Sequence, residues 1–334
     1  METEEYGRSK RLLALRLPHI LNECRLYLHE RLLMPIRPTI RATIFMVAAL
    51  ASFCAAANQS PSASDSLYGQ LATLNISLRT ASGQEREAGV VERYETLMTA
   101  MPPCPHDADD VAFIDDLFKA TAFAQLYSLS QGHTDTLGCL YQALLQSGNS
   151  SDWHTLTYAG ALISVARFSQ ANLLLQQLGD RQVSPLPHIA ADHAAVANTQ
   201  WRMLALESPS QAAITRWAPA PEHLHVVAVV HPACGFSARA MADIASNNDL
   251  AWLRENLLLL VPPQEELPIK GILEWNRAHP QLPMQRMYTR ADWAALASLD
   301  TPTFYLMQGT QVMERFEGWP NDAGLQRLQA ALAH

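Results

Sequence analysis

The residues in this sequence whose types and spacing best suit covalent chemistry run from His231 to Ser237 and read HPACGFS. They follow a short valine-rich apolar run and precede a stretch of helical character. A cysteine at such a junction lies at a helix N-terminus, where free backbone N–H groups and the helix dipole stabilise a thiolate. The thiolate is the form that attacks disulfides, so Cys234 is the candidate nucleophile. The alternative is a small buried apolar side chain.

His231 lies three residues before the cysteine and could add a positive charge to the site when it is protonated. The alternative is a solvated loop histidine. The sequence therefore predicts a thiol whose reactivity comes mainly from its place at the start of a helix.

The elements around Cys234 follow an alternating pattern. Short apolar runs bounded by proline predict buried strands, and three- and four-residue apolar spacing predicts helices. The order β-α-β-α-β-β-α, with a further short strand at Met284–Tyr288, predicts an α/β sandwich. Its strands are Leu224–Val230, Leu257–Val261, Thr303–Met307 and Gln311–Phe316, and its helices are 237–246, 272–278 and 323–332.

This ordered set resembles the thioredoxin superfamily. Members carry Cys-x-x-Cys after the first core strand, a cis-proline loop beside the cysteine, then a β-hairpin and a last helix. Here Cys234 matches the attacking cysteine, Pro302 the cis-proline, Gly309 the hairpin turn and Gly318 the end of the final strand. The resemblance covers roughly residues 223–334. It implies a thioredoxin-like fold there, with the proline loop docking an extended substrate chain beside the sulfur.

The site departs from that pattern in three places. Ser237 occupies the position of the resolving cysteine, so Cys234 could form a mixed disulfide but could not release it in the same way. Ala228 stands where many members have a buried acid, and Ala233 replaces an aromatic residue. The tetrapeptide Cys-Gly-Phe-Ser also resembles the monothiol glutaredoxins, which hold glutathione and an iron–sulfur cluster. Their upstream lysine and their glycine pair are missing here, so no cofactor is predicted.

The chain upstream of the resemblance has helical periodicity. A length of 334 residues favours about two domains, and 49% hydrophobic content supports packed cores. Residues 85–217 therefore predict an all-α domain, with Pro219 and Pro221 before a second domain over 222–334. Only one tetratricopeptide-like hairpin is visible and an array needs about three, so a plain bundle is favoured. The predicted helical segments are Val111–Tyr127, Leu137–Gln146, Thr155–Leu178 and Ile189–Leu206.

The N-terminal residues resemble a targeting signal. Residues 34–57 are basic, then apolar, then small, which is typical of a secretory signal peptide, and the apolar run is shorter than the ~20 residues of a membrane span. We therefore expect a periplasmic or secreted protein that starts at Met34 and meets the membrane only through its leader. Residues 1–33 would be an over-extended N-terminus, and 58–84 a linker with a short helix near Tyr68–Leu74. The alternative is a cytoplasmic tail before an uncleaved anchor.

The number of cysteines and the net charge limit which thiols can react and which partners can bind. Removing Cys24 and Cys54 with the leader leaves three cysteines, and an odd count in an exported protein suggests one pair and one free thiol. Cys104 and Cys139 share the middle region and are the natural pair, which would leave Cys234 free. A net charge of -8 argues against a nucleic-acid partner. The dispersed histidines lack ligand spacing, so no metal is predicted.

Two functions remain open. The first is an exported thiol–disulfide exchange protein that acts through Cys234, with Ser237, His231 and Pro302 around it, on protein thiols and disulfides or glutathione-like small thiols. The second is a catalytically silent thioredoxin-fold scaffold whose helical domain binds a protein partner. Ser237 and Ala228 favour the second. The substrate, the redox direction and whether the protein is an enzyme stay open.

Overall fold

The computed structural model describes residues 66–101, 104, 110–179, 185–190 and 200–333, all of them within one compact unit. The predicted leader 34–57 and the predicted over-extended N-terminus 1–33 lie outside the described residues. Within the described part, the chain begins with helices and continues into a mixed sheet with its own helices.

The N-terminal helices start where short polar side chains cap them. Ser66, Ser82, Asp110 and Ser130 each accept a backbone N–H in the first turn of a helix, which satisfies a donor that would otherwise lack a partner. Packing of their apolar faces then holds the bundle. These helices are α1 Leu67–Ser77, α2 Gly83–Met98, α3 Val111–Ser128, α4 Gln131–Gln146, α5 Asp152–Ser164 and α6 Phe168–Gln177.

The described strands form one sheet in the order β1-β3-β2-β6-β5-β4-β7-β8. Further helices lie between and after the strands. The strands are β1 His188–Ala190, β2 Arg202–Ser208, β3 Gln211–Arg216, β4 Leu224–Val229, β5 Leu257–Val261, β6 Met284–Met287, β7 Thr303–Gln308 and β8 Gln311–Glu317. The helices are α7 Gly235–Ser246, the short α8 Ala251–Arg254, α9 Ile269–Ala278 and α10 Asp322–Leu332.

Strand β4 lies inside the sheet and positions the candidate nucleophile. It runs parallel to β5 and antiparallel to β7, and β5 runs parallel to β6. The carboxyl ends of β4, β5 and β6 therefore share one edge, and Cys234 follows β4 at that edge. The order of the elements from β4 onward, the β7–β8 hairpin and the closing helix α10 match the prediction. The fold class is confirmed: an α/β, thioredoxin-like sandwich preceded by a helical region.

Both faces of β4 are buried, as expected of a strand that reads as a continuous apolar run. Val226 and Ala228 face the core beneath α7, α9 and α10, whereas Val227 and Val229 face a second core that contains Trp201. All four side chains have no solvent exposure. The strand before Cys234 is thus fixed from both sides.

The structure corrects two predictions for the upstream region. The helix predicted over Ile189–Leu206 is wrong at its two described ends, because Ile189 lies in β1 and Arg202–Leu206 lies in β2, which pairs antiparallel with β3 and β6. Its Met, Leu and Ala residues favour helix locally, but long-range pairing overrides that weak preference. The linker predicted over 58–84 is wrong for Leu67–Ser77, which is helix α1 with Leu71 fully buried. The short helix predicted near Tyr68–Leu74 is confirmed.

The domain predicted as all-α over 85–217 also contains strands. Strands β1, β2 and β3 precede Pro219 and Pro221, so the sheet begins before the predicted boundary. The predicted pairing of Cys104 with Cys139 is confirmed, and their Cα atoms are 5.7 Å apart. This disulfide ties a residue that precedes α3 to helix α4. None of the described helices has the length and apolar character needed to cross a membrane.

Candidate functional site

Cys234 is the N-cap residue of α7. Its backbone is extended, with φ −86° and ψ 121°, and its carbonyl accepts the first helical hydrogen bond from the Ala238 N–H at 2.8 Å. The Cys234 N–H donates to the His231 carbonyl at 3.0 Å, which closes the turn between β4 and α7. The thiol is half-buried. The free N–H groups of the first helical turn therefore lie beside the sulfur, as the sequence predicts.

The Thr301–Pro302 peptide bond is cis, as the resemblance implies. The loop brings the main chain beside the thiol: Cys234 Sγ lies 3.4 Å from the Thr301 carbonyl oxygen. Hydrogen bonds on both sides hold the loop. The Gly318 N–H donates to the Pro302 carbonyl at 2.9 Å, and the Thr303 hydroxyl donates to the Asp300 carbonyl at 2.6 Å.

Gly318 can hold the loop in this way because of its own backbone conformation. Its φ is +82°, a left-handed value that favours glycine. Gly309, at the β7–β8 turn, has φ +54° for the same reason. Both glycines thus occupy the positions that the resemblance predicts for them.

The electrostatics of the site favour a thiolate. Partial burial on its own would raise the pKa of the Cys234 thiol. The polar groups near the sulfur, namely the Ser237 N–H, the Thr301 side chain, the Phe236 N–H and the Ser237 hydroxyl, outweigh burial, so the pKa of Cys234 lies below its ordinary value. The backbone N–H groups act because they line the N-terminus of α7.

Ser237 occupies the place of a resolving cysteine and is fully buried. Its Oγ accepts a hydrogen bond from the His231 N–H at 3.2 Å, so it also anchors the turn that carries the thiol. Among the described residues, Cys234 is the free cysteine. The described part of the chain therefore supplies no second thiol to the site.

His231 lies next to the thiol, but the structure corrects the charge expected for it. Burial lowers the pKa of His231, which disfavours the imidazolium form. The ring nitrogen Nδ1 accepts a hydrogen bond from the Ala233 N–H at 3.2 Å, which requires that nitrogen to be unprotonated. The groups that lower the pKa of Cys234 most belong to Ser237, Thr301 and Phe236. The ring acts as a neutral acceptor that shapes the turn.

The structure thus brings the four predicted site residues into one neighbourhood. Cys234, Ser237 and His231 share the turn between β4 and α7, and Pro302 arrives through its neighbour Thr301. Ala228 is fully buried in β4, so the matching position carries no acid. In the ranges that the structure describes, no three histidine, cysteine, aspartate or glutamate side chains come together as a metal site.

Sequence reasoning missed a pair of side chains beside the thiol. Phe236 is 44% exposed, and the guanidinium carbon of Arg239 lies 4.8 Å from the centre of its ring. The available signal was the i to i+3 spacing of Phe236 and Arg239 at the start of the predicted helix 237–246, because such residues are neighbours on a helix surface.

Sequence reasoning also missed a contact between the helical region and the proline loop. The Asp300 carboxylate, one residue before Thr301, fills the space that a Cβ on Gly83 would need at the start of α2. Burial raises the pKa of the nearby Glu87; Arg290 lowers it, and Asp300 raises it further. The next residue of α2, Gln84, accepts a hydrogen bond from Arg315 of β8 at 3.3 Å. The first turn of α2 therefore packs against the loop that carries Pro302.

Comparison with known proteins adds little to this geometry. The chain matches no protein-family model and no curated protein. It is similar to the crystal structure of a thioredoxin-like protein from Bacteroides caccae ATCC 43185, with 11% sequence identity and a TM-score of 0.26. That similarity covers 76% of this chain and 94% of the other. A TM-score this low supports no argument about the fold. The thioredoxin-like fold is therefore assigned from the strand order and strand directions described above.

Proposed function

We propose that this protein carries out thiol–disulfide exchange through Cys234, as a Cys-x-x-Ser variant of the thioredoxin site. One observation carries the proposal: a half-buried sulfur at the N-terminus of α7, with a lowered pKa, lies 3.4 Å from the main chain next to cis-Pro302. Helix amides favour the nucleophilic thiolate, and the adjacent loop offers backbone groups to an extended substrate.

The exchange step conserves atoms and charge. The Cys234 thiolate attacks one sulfur of a disulfide R–S–S–R′, a Cys234–S–S–R bond forms, and R′–S⁻ leaves and takes a proton from water. Cys234 is oxidised to a mixed disulfide, and R′ is reduced to its thiol. Because Ser237 supplies no second sulfur, release requires an external thiol, either a small thiol or a cysteine of another protein.

The proline loop would take part in substrate docking. When the Cys234 thiol is protonated, the Thr301 carbonyl accepts its proton. Ionisation of the thiol and formation of the mixed disulfide both remove that proton, so the carbonyl becomes available to an N–H of the substrate chain. Pro302 has no N–H of its own, and its carbonyl is already bound by Gly318. Thr301 is therefore the loop residue whose main chain is best placed to hold substrate.

The same proposal includes an oxidising location, periplasmic or secreted. The Cys104–Cys139 disulfide supports it, because such bonds persist mainly in oxidising compartments. The predicted leader 34–57 also supports export. In an oxidising compartment, protein disulfides are the substrates that Cys234 would encounter most readily.

The test measures the alkylation rate of the full chain by iodoacetamide as a function of pH. The apparent pKa of Cys234 should lie below that of a free thiol; a value at or above ~8.5 would contradict the proposal. Ser237→Ala removes a hydroxyl that supports the thiolate, so the pKa of Cys234 should rise in that variant. Cys234→Ala identifies the reacting sulfur.

A second candidate is a silent thioredoxin-fold scaffold that binds a protein partner through its helical region. The serine at position 237 and the alanine at position 228 favour it, because neither can perform the chemistry of the residue it replaces. Trapping separates the two candidates. Mixed-disulfide adducts that form in extracts with the full chain and vanish with Cys234→Ala support exchange, and their absence from both supports the scaffold.

A further inference from the structure

Two exposed side chains flank the thiol on the outer face of α7. Phe236 is two residues from Cys234, and Arg239 lies one turn further along the same helix face, with its guanidinium carbon 4.8 Å from the centre of the Phe236 ring. Between sulfur and ring, Gly235 is exposed, and a Cβ built on it would meet no atom within 4 Å. The approach to the sulfur on this side is therefore open and bounded by an aromatic ring and a cation.

The Arg239 guanidinium pairs with no acid in the part of the chain that the structure describes. The side chain is exposed and, within the described residues, forms no ion pair with a carboxylate. Asp243, one turn further along α7, is engaged elsewhere: its carboxylate accepts a hydrogen bond from the Trp319 indole at 2.8 Å. By contrast, Arg202 binds Asp292 and Arg167 binds Asp135.

From this arrangement we propose that Phe236 and Arg239 form a specificity surface for polypeptide disulfides that carry acidic residues next to the reacting cysteine. The inference rests on the proposed exchange at Cys234 and names its substrate class. The sign of the charge follows from the N-terminus of α7 and from Arg239, which are both positive and belong to the first two turns of the helix that carries the thiol, in a chain whose net charge is -8. A carboxylate accepts paired hydrogen bonds from a guanidinium.

The shape of the surface favours a polypeptide over a small molecule. An exposed aromatic ring and an arginine are residue types enriched at the centres of protein interfaces. The open space at Gly235 would let a polypeptide chain approach the sulfur beside the ring. No atom of the described residues lies within 4 Å of a Cβ built on Gly235, whereas a small ligand needs close contacts over most of its surface.

The experiment uses the full chain and three peptides that are identical except for the residues on either side of one cysteine, which are glutamate, glutamine or lysine. The cysteine is activated as a mixed disulfide with 2-thiopyridine. Attack by Cys234 on the peptide sulfur forms the Cys234–peptide disulfide and releases pyridine-2-thione, which is followed by absorbance. The readout is the ratio of the rate constants for acidic and basic peptides, so a change in the intrinsic reactivity of the thiol cancels.

The wild-type chain should prefer the acidic peptide by about fivefold to tenfold at low salt. The preference should shrink as salt rises, because the Debye length falls from ~10 Å at 0.1 M to ~3 Å at 1 M. Arg239→Glu should reverse the order, and Phe236→Ala should slow all three peptides. Arg277→Glu makes the same change in charge at an exposed position in the last turn of α9 and should retain the acidic preference.

Each contrary result has its own meaning. A wild-type chain that reacts equally with all three peptides, or an Arg239→Glu chain that keeps the wild-type order, overturns the specificity surface and leaves the exchange reaction standing. Discrimination confined to oxidised glutathione, an acidic small disulfide, overturns the polypeptide assignment. Failure of the wild-type chain to react even with uncharged dipyridyl disulfide overturns the exchange function itself, and this inference with it.

Discussion

Gly324→Ala should destabilise the protein, because a ring that supports the proline loop occupies the space a Cβ would need. Gly324 is the third residue of α10, and a Cβ there would lie 2.5 Å from Cγ of Phe316, where ordinary contacts begin at 3.4 Å. The ring would have to move by roughly 0.9 Å, the difference between these two distances. Phe316 is stacked on Phe304 with ring centres 4.8 Å apart, and Phe304 is fully buried. The ring therefore has little room to move.

Two opposing effects set the size of the change in the free energy of unfolding. Replacing a helical glycine by alanine gains about 0.5–1 kcal/mol through lower backbone entropy in the unfolded chain. Overpacking a filled core costs about 1–3 kcal/mol. The second effect is larger, so the free energy of unfolding of Gly324→Ala should fall by about 1–2 kcal/mol. Because Phe304 follows Pro302 by two residues, the exchange rate at Cys234 should fall as well.

Urea unfolding of the full chain measures the change, with Gly132→Ala as the matched control. Gly132 lies in the first turn of α4 with no atom within 4 Å of its Cβ position, so this variant should be more stable than wild type by the propensity gain alone. Adding Phe316→Leu to Gly324→Ala should restore part of the loss, since the pair shares one contact. Equal stabilisation by both glycine substitutions would refute the packing account.

Three further predictions concern the thiols and one acid. Ser237→Cys should supply the missing resolving thiol, so mixed disulfides of Cys234 that persist in the wild-type chain on non-reducing gels should disappear. Replacing both Cys104 and Cys139 by serine should lower the free energy of unfolding by about 3–4 kcal/mol, the value expected for a loop of 35 residues, and urea titration measures it. Burial raises the pKa of Glu265 to about 8, so the folded state holds a proton that the unfolded state has lost between pH ~4.5 and 8. The free energy of unfolding should therefore fall as pH rises through that window. Glu265→Gln should remove this pH dependence and raise the free energy of unfolding by roughly 1–2 kcal/mol at pH 8. This figure is smaller than the full pKa shift implies because the Glu265 side chain keeps contact with solvent.

The C-terminal fold could be predicted because its signals are local. Short apolar runs bounded by prolines define β4 and β5, and glycines with left-handed φ define the β7–β8 turn and the end of β8. Strand β2 could not be predicted in the same way. Its sequence, RMLALES, has good helix formers, and only its pairing with β3 and β6, up to 84 residues away in the Met203–Met287 pair, makes it a strand. Pairing over such a distance leaves no signal in the neighbouring sequence.

The same contrast between local signals and long-range contacts applies to the candidate site. The position of Cys234 at a helix start follows from neighbouring residues, and so does the place of Ser237 one turn later. The contact between Cys234 and the Thr301 carbonyl spans 67 residues and needed the resemblance to be anticipated. The charge state of His231 depends on its burial, which the sequence does not show. The sequence left open a positive charge beside the thiol or a solvated loop histidine, and burial favours a neutral ring.

A neutral His231 makes a prediction about the shape of the pH–rate profile. The groups that stabilise the Cys234 thiolate are backbone N–H groups and hydroxyls, none of which titrates in the range where cysteine does. The rate of reaction with uncharged dipyridyl disulfide should therefore rise with pH along a single ionisation curve, that of Cys234 itself. A second inflection near the ordinary pKa of histidine, present in the wild-type chain and lost in His231→Gln, would mean that an imidazolium charge acts on the sulfur. In that case the hydrogen bonds of α7 and its serine would not be sufficient to account for the thiolate.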